Sequence, residues 1–261
     1  MSDGKAVFDP IDHGSVVDEV VGQIETMIVS GVLKEGHKLP SERELAEVLK
    51  VSRPKLREAL KRLECDDLIV VKHGDGTFVG PLVGNAMSPA LSNLYSRHTG
   101  AFFDYLEYRR EQEGFAAELA AERMTQIDRE VIQEVLIEMD QAHESGDRKA
   151  ARKADIDFHS AVVGASHNTT LIHMMTSIYD LSQRTVFYNR DYLHTVENSA
   201  EALLEQHHGI AEAIFARDPQ TAKQNAYDHI DYVARSFRQG QEVTERTKIA
   251  SKMRMMGRVD K

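Results

Sequence analysis

The sequence predicts a mainly α-helical protein of two domains, an N-terminal winged helix-turn-helix and a C-terminal all-α bundle of six or seven helices. The first eighty residues place a glycine-tipped hairpin after three helical stripes, whereas from about residue 88 onward helical periodicity continues without a convincing strand. Between them, Gly80-Pro81-Leu82-Val83-Gly84-Asn85 breaks all periodicity with two glycines and a proline. A chain of 261 residues suits this division, being longer than the roughly 150 residues of a typical domain. The expected boundaries are 1–80 for the winged helix-turn-helix, 81–100 for a linker and first connecting helix, 101–238 for the helical domain and 239–261 for a polar, basic tail, either frayed or a loosely docked helix.

Each element has its own signal. Val17, Val20, Val21, Ile24, Met27 and Ile28 recur at helical spacing and run into Ser30-Gly31, a stop for the first helix. Ser41 with Glu44 three residues later forms a capping box that opens a short helix carrying Leu45, Ala46, Val48 and Leu49. Ser52 caps the third helix, Pro54 sits harmlessly in its first turn, and Leu56, Leu60 and Leu63 form its buried stripe. Leu68 to Lys72 and Thr77 to Val79 read as strands joined by His73-Gly74-Asp75-Gly76. Beyond the linker, amphipathic segments fall near 102–124, 128–144, 147–165, 170–190, 197–216 and 219–238. Ser145-Gly146-Asp147 and Asp218-Pro219 punctuate them.

With 41% hydrophobic and 28% charged residues and no tryptophan, the composition is globular and excludes disordered, collagen-like and low-complexity classes. No stretch approaches the roughly 18 apolar residues of a membrane helix, and MSDGKAVFDP lacks the apolar core of a signal peptide. The expectation is a cytoplasmic protein without membrane association. A single cysteine, Cys65, excludes an intramolecular disulfide or a thiolate metal cluster. The net charge of −10 opposes non-specific binding to nucleic acid. Between residues 52 and 63, however, Arg53, Lys55, Arg57, Lys61 and Arg62 face only Glu58, a local balance of +4. That is the footprint of a focused anion contact.

A recognition helix needs small or cationic side chains at its N-terminal end, where it meets base edges and phosphates in the major groove. Ser52, Arg53, Lys55 and Arg57 meet that need, Arg43 can reach the same groove from the preceding helix, and His73 and Gly74 tip the wing. The segment PSERELAEVLKVSRPKLREALKRLECDDLIVVKHGDGTFV resembles the DNA-binding domain of the GntR family of bacterial transcription regulators, and the likeness spans residues 11–80. It implies base and phosphate contacts from Arg43, Arg53, Arg57, His73 and Gly74, with Lys55 contributing. Pro54 departs from the pattern, since it offers no polar group.

Of twelve histidines, most, such as His143, His167 and His194, stand in polar or loop-like settings. Three point inward. His207 shares a stripe with Leu203, Ile210 and Ile214, and His229 shares one with Ala226, Val233 and Phe237. His159 lies one turn after Asp155, beside Phe158 and Val162. Four buried polar side chains without a shared partner would each cost about 1–3 kcal/mol. A divalent cation removes that penalty collectively, and imidazole with carboxylate suits Zn first, with Ni, Fe or Mn as alternatives.

Residues 100–238 also resemble the FCD ligand-binding domain of the FadR branch of the same family. The likeness rests on Leu106-Glu107-Tyr108-Arg109 with Glu113, Asp155-Ile156-Asp157-Phe158-His159, Ser166-His167-Asn168, His207, Asp218 and His229. It implies the metal ligands Asp155, His159, His207 and His229, the same four as the stripes, with His208 the rival of His207. It further implies that Arg109 holds an effector's carboxylate; the alternative is an ion pair to Glu113 or Glu107. The expectation is a transcription regulator, not an enzyme, that binds a palindromic operator as a homodimer and answers to a small hydroxy-, keto- or sugar acid. A metal-dependent hydrolase or isomerase with a DNA-binding appendage, and an architectural nucleic-acid binder, are the alternatives.

Overall fold

The computed structural model describes residues 15–82, 98–184 and 199–259. It divides into two compact units, 1–84 and 85–261.

The first unit contains α1 (Val16–Val29), α2 (Glu42–Leu49), α3 (Arg53–Cys65), β1 (Ile69–Lys72) and β2 (Gly76–Val79). Val17, Val20, Val21, Ile24 and Ile28 of α1 pack on Leu56, Ala59, Leu60 and Leu63 of α3, and Ile69 and Val79 close the core from the hairpin. The Ser41–Glu44 capping box forms in both directions. In α2 only Ala46 is fully buried, and Val48 turns outward. Ser52 occupies the N-cap of α3 with extended backbone but makes no side-chain cap bond, a departure from its sequence expectation. The strands pair antiparallel from Ile69↔Val79 to Lys72↔Gly76. Gly74 takes a positive φ of 85° in the connecting turn, a conformation that favours glycine. Backbone bonds from Leu39 to Thr77 (2.8 Å) and from Val79 to His37 (2.9 Å) fasten the base of the hairpin. Gly80 and Leu82 fold back on this unit: an added Cβ on Gly80 would lie 2.5 Å from the Asp67 carbonyl, and the Leu82 N–H donates to Glu35. The rest of the expected linker and the helix expected near 88 lie outside the described residues.

The second unit contains six helices among the described residues: α4 (Thr99–Arg123), α5 (Gln126–Ser145), α6 (Arg148–Ala165), α7 (Thr169–Arg184), α8 (Ser199–Phe215) and α9 (Pro219–Val259). Thr125 and Asp128 form a capping box for α5, Gly146 ends it in the left-handed region, and Asp147 caps α6. Phe158 of α6 is fully buried among Ala117, Ala120 and Ala121 of α4, Ile210 and Ile214 of α8, and Ala226 of α9. Small residues on α4 allow this close approach. At Gly114 an added Cβ would stand 2.2 Å from the Tyr227 ring of α9.

Residues 239–259, expected as a frayed tail or a loosely docked helix, are helical and continue α9, a helix of 41 residues, through Gly240. A single interior glycine costs a helix only about 1 kcal/mol. Pairs one turn apart, Arg246 with Glu242 and Lys248 with Glu245, support the continuation. Among the described residues no helix is long and apolar enough to cross a membrane.

The approach at Gly114 sets a stability test. Gly114→Ala should cost about 1–3 kcal/mol through overpacking against Tyr227 and lower the thermal midpoint by several degrees. Gly164→Ala on α6, where nothing lies within 4 Å of the added Cβ, should leave stability unchanged or raise it by up to about 1 kcal/mol. Equal midpoints for the two variants, measured by circular dichroism, would contradict the packing assignment.

Candidate nucleic-acid interface and metal centre

The N-terminal end of α3 presents Ser52, Arg53, Lys55 and Arg57 to solvent, and Arg43 is exposed on the first turn of α2. Glu42 draws two of these cations together, with Arg57 Nε 2.7 Å and Arg53 Nη2 4.0 Å from one carboxylate oxygen. Lys55 pairs with Glu58 at 2.9 Å. Exposed pairs of this kind contribute about 0–1 kcal/mol, so a phosphate can displace them at little cost. His73 and Gly74 are exposed at the wing tip. Arg62 belongs to a different face, where it pairs with Asp18 of α1. The basic count between 52 and 63 is therefore not a single surface.

In the second unit, α6 carries Asp155 and His159, α8 carries His207 and α9 carries His229, all at most 4% exposed. One nitrogen from each of the three histidines lies within 4.8 Å of the others, an arrangement that could hold a metal ion. His207 Nε2 is 3.4 Å from His159 Nε2 and 3.6 Å from Asp155 Oδ1. Burial, and then the neighbouring His207 and His159 rings, push the His229 pKa well below its usual value, which favours the neutral imidazole that a metal requires. Asp155 joins the group through His207. His208 turns away to pair with Asp140 at 2.8 Å, half-buried, which separates it from the cluster.

Arg109 is buried and donates from Nε to Glu113 Oε1 at 2.7 Å, while Glu107 is exposed. The other Glu113 oxygen lies 3.0 Å from His159 Nδ1, and the buried Tyr179 hydroxyl donates to Oε1 at 3.1 Å. Burial alone would raise the Glu113 pKa, but the Arg109 guanidinium and His159 ring hold it well below the usual carboxylate range. Burial and the Glu113 charge push the Tyr179 hydroxyl well above its usual pKa. On the outer side of His229, Nδ1 is 3.1 Å from Gln206 Oε1. The sequence contained Arg109 and Glu113 one turn apart but no sign that Glu113 meets His159, nor any signal for Gln206 or Tyr179.

A cavity of about 300 Å³ reaches this cluster, with Asp155 and His207 in its lining together with Arg148, Ser199, Leu203 and the exposed His143. His167, in the polar setting expected, has its Nε2 2.8 Å from Asp128. His194 lies outside the described residues.

Comparison with known proteins matches residues 16–79 to the bacterial regulatory proteins of the gntR family and residues 104–232 to the FCD domain. The chain is 35% identical over 221 residues to the "Putative L-lactate dehydrogenase operon regulatory protein" of Escherichia coli (strain K12), covering 83% of this chain and 84% of that one. It is also 35% identical over 208 residues to the HTH-type transcriptional regulator LutR of Bacillus subtilis (strain 168), covering 79% and 94%. Among solved structures, Streptococcus agalactiae GntR matches with a TM-score of 0.52 at 27% identity, covering 84% of this chain and 99% of that one. The hydrolase and isomerase alternatives fall with these matches. A winged helix with exposed cations on its third helix, joined to an FCD domain and to relatives that are regulators along most of their length, places the chain in the GntR family as a DNA-binding transcription regulator rather than an enzyme.

Proposed function

We propose that this regulator binds a palindromic operator as a cytoplasmic homodimer, and that a small hydroxy-, keto- or sugar acid held beside a divalent-metal site in the helical domain controls that binding. The observation that carries the reading is the meeting of three buried imidazoles with Asp155, of which Asp155 and His207 line a cavity large enough for such an acid. A relative named for an L-lactate dehydrogenase operon supports a hydroxy acid.

Asp155, His159, His207 and His229 would hold the ion, with Zn first and Ni, Fe or Mn as alternatives. When bound, it supplies positive charge and a Lewis-acidic point of attachment for an oxygen ligand. With the imidazoles neutral, Asp155 and Glu113 against Arg109 leave the buried groups one net negative charge; a divalent ion reverses the sign, and a monoanionic acid then neutralises it. The guanidinium proposed for the acid's carboxylate is Arg109, although it pairs with Glu113 through Nε and is not among the residues that line the cavity. On the DNA side, Arg43, Ser52, Arg53, Lys55 and Arg57 take the major groove and backbone, and His73 and Gly74 take the neighbouring minor groove. Two-fold symmetry doubles the base pairs that one winged helix can reach. The segment from 80 to the helix expected near 88 transmits the acid's effect by favouring one arrangement of the paired winged helices.

Arg53→Ala and Arg57→Ala should each weaken specific operator binding by about 1–3 kcal/mol, measured by fluorescence anisotropy at fixed salt. Unchanged affinity in both variants would remove α3 as the recognition helix. Elemental analysis should find a transition metal in the wild-type protein and less in His207→Ala and His229→Ala. Chelation should lower the melting temperature of the helical domain while leaving the winged helix folded, because an ion that binds only the folded state stabilises it; an identical melt after complete metal removal would oppose the assignment. Saturating acid should shift operator affinity about 5- to 150-fold, and operator should shift acid affinity by the same factor. Titrations of L-lactate and related acids with and without operator check this reciprocity, and Arg109→Ala should weaken the acid in both.

A further inference from the structure

We propose that Glu113 is a positioning residue for the metal centre, setting which nitrogen of His159 is available to the ion. This rests on the metal reading above. Glu113 stands on α4, behind His159 rather than among the three clustered imidazoles. Its two carboxylate oxygens divide their work. Oε1 receives Arg109 Nε at 2.7 Å and the Tyr179 hydroxyl at 3.1 Å, whereas Oε2 faces His159 Nδ1 at 3.0 Å. An ionised carboxylate only accepts hydrogen bonds, so the His159 nitrogen facing it carries a proton. In the neutral imidazole the lone pair is then on Nε2, the nitrogen that lies 3.4 Å from His207 Nε2.

Arg109 and Tyr179 complete the device. They hold the carboxylate at Oε1 and keep it oriented. Were Glu113 only the counter-ion of Arg109, nothing would require its second oxygen to meet an imidazole from α6. Gln206 does the corresponding work for His229, where the Nδ1 to Oε1 distance of 3.1 Å leaves Nε2 for the cluster. A carboxylate makes the stronger partner, since its hydrogen bond to the imidazole N–H is charge-assisted. Partners of this kind act through the ligands, and their loss costs about 10- to 100-fold in metal affinity.

The test uses the full chain with cobalt(II) as the probe, competed against a chromophoric chelator. Glu113→Gln preserves size but removes the charge, and its amide can donate where the carboxylate could only accept. It should bind cobalt about 10- to 100-fold more weakly than wild type, with an altered cobalt absorption spectrum. Long-range ¹H–¹⁵N spectra of metal-free wild-type protein should show His159 protonated at Nδ1, a readout that does not require any variant to fold. Wild-type cobalt affinity in Glu113→Gln, or protonation of His159 at Nε2 in the wild type, would overturn the assignment of Glu113 alone. Failure of the wild-type protein to take up cobalt would overturn the metal reading itself, and the proposal with it.

Discussion

Everything in the helical domain depends on one constraint: the helices that close around Phe158 also bury charge, and that charge must be satisfied inside. Arg109 and Glu113 on α4, Asp155 and His159 on α6, His207 on α8 and His229 on α9 are each at most 4% exposed. A buried ion pair gives little net stability because desolvation offsets its attraction, yet losing one partner is costly. The network is therefore better understood as fixing the relative positions of four helices than as a source of stability. The alanines of α4 and the close approach at Gly114 supply the apolar packing that holds those groups together.

The winged helix solves the opposite problem. Its core is wholly apolar, from Val17 to Val79, and its cations are left in water at the end of α3. Glu42 keeps Arg53 and Arg57 near one another without burying either. The weakness of such exposed pairs suits the function, since a guanidinium engaged in a strong internal bridge would resist transfer to phosphate.

Much of this was legible in the sequence because it is written in short-range spacing. Helical stripes turn His159, His207 and His229 inward and separate His207 from His208, while the Ser41–Glu44 box and the glycines after Lys72 mark α2 and the hairpin. Contacts between distant segments left no such trace. His159 meets Glu113 across 46 positions, and no local period encodes that distance. The extension of α9 was hidden by Gly240, whose local helix penalty is smaller than the support around it. Ser52 shows the limit of residue-type rules, for it has the N-cap position without the cap bond. Arg62 shows the limit of counting charge along a chain that turns its residues to different faces.

The three clustered histidines come from three separate helices, and this has a mechanical meaning. A helix that slides by one residue advances about 1.5 Å, whereas coordination tolerates displacements of only about 0.2 Å. With an ion held among them, the three would act as a vernier between α6, α8 and α9: the site would close at one axial registration and open at the next, turning sub-residue sliding of helices into an all-or-none difference at a single point.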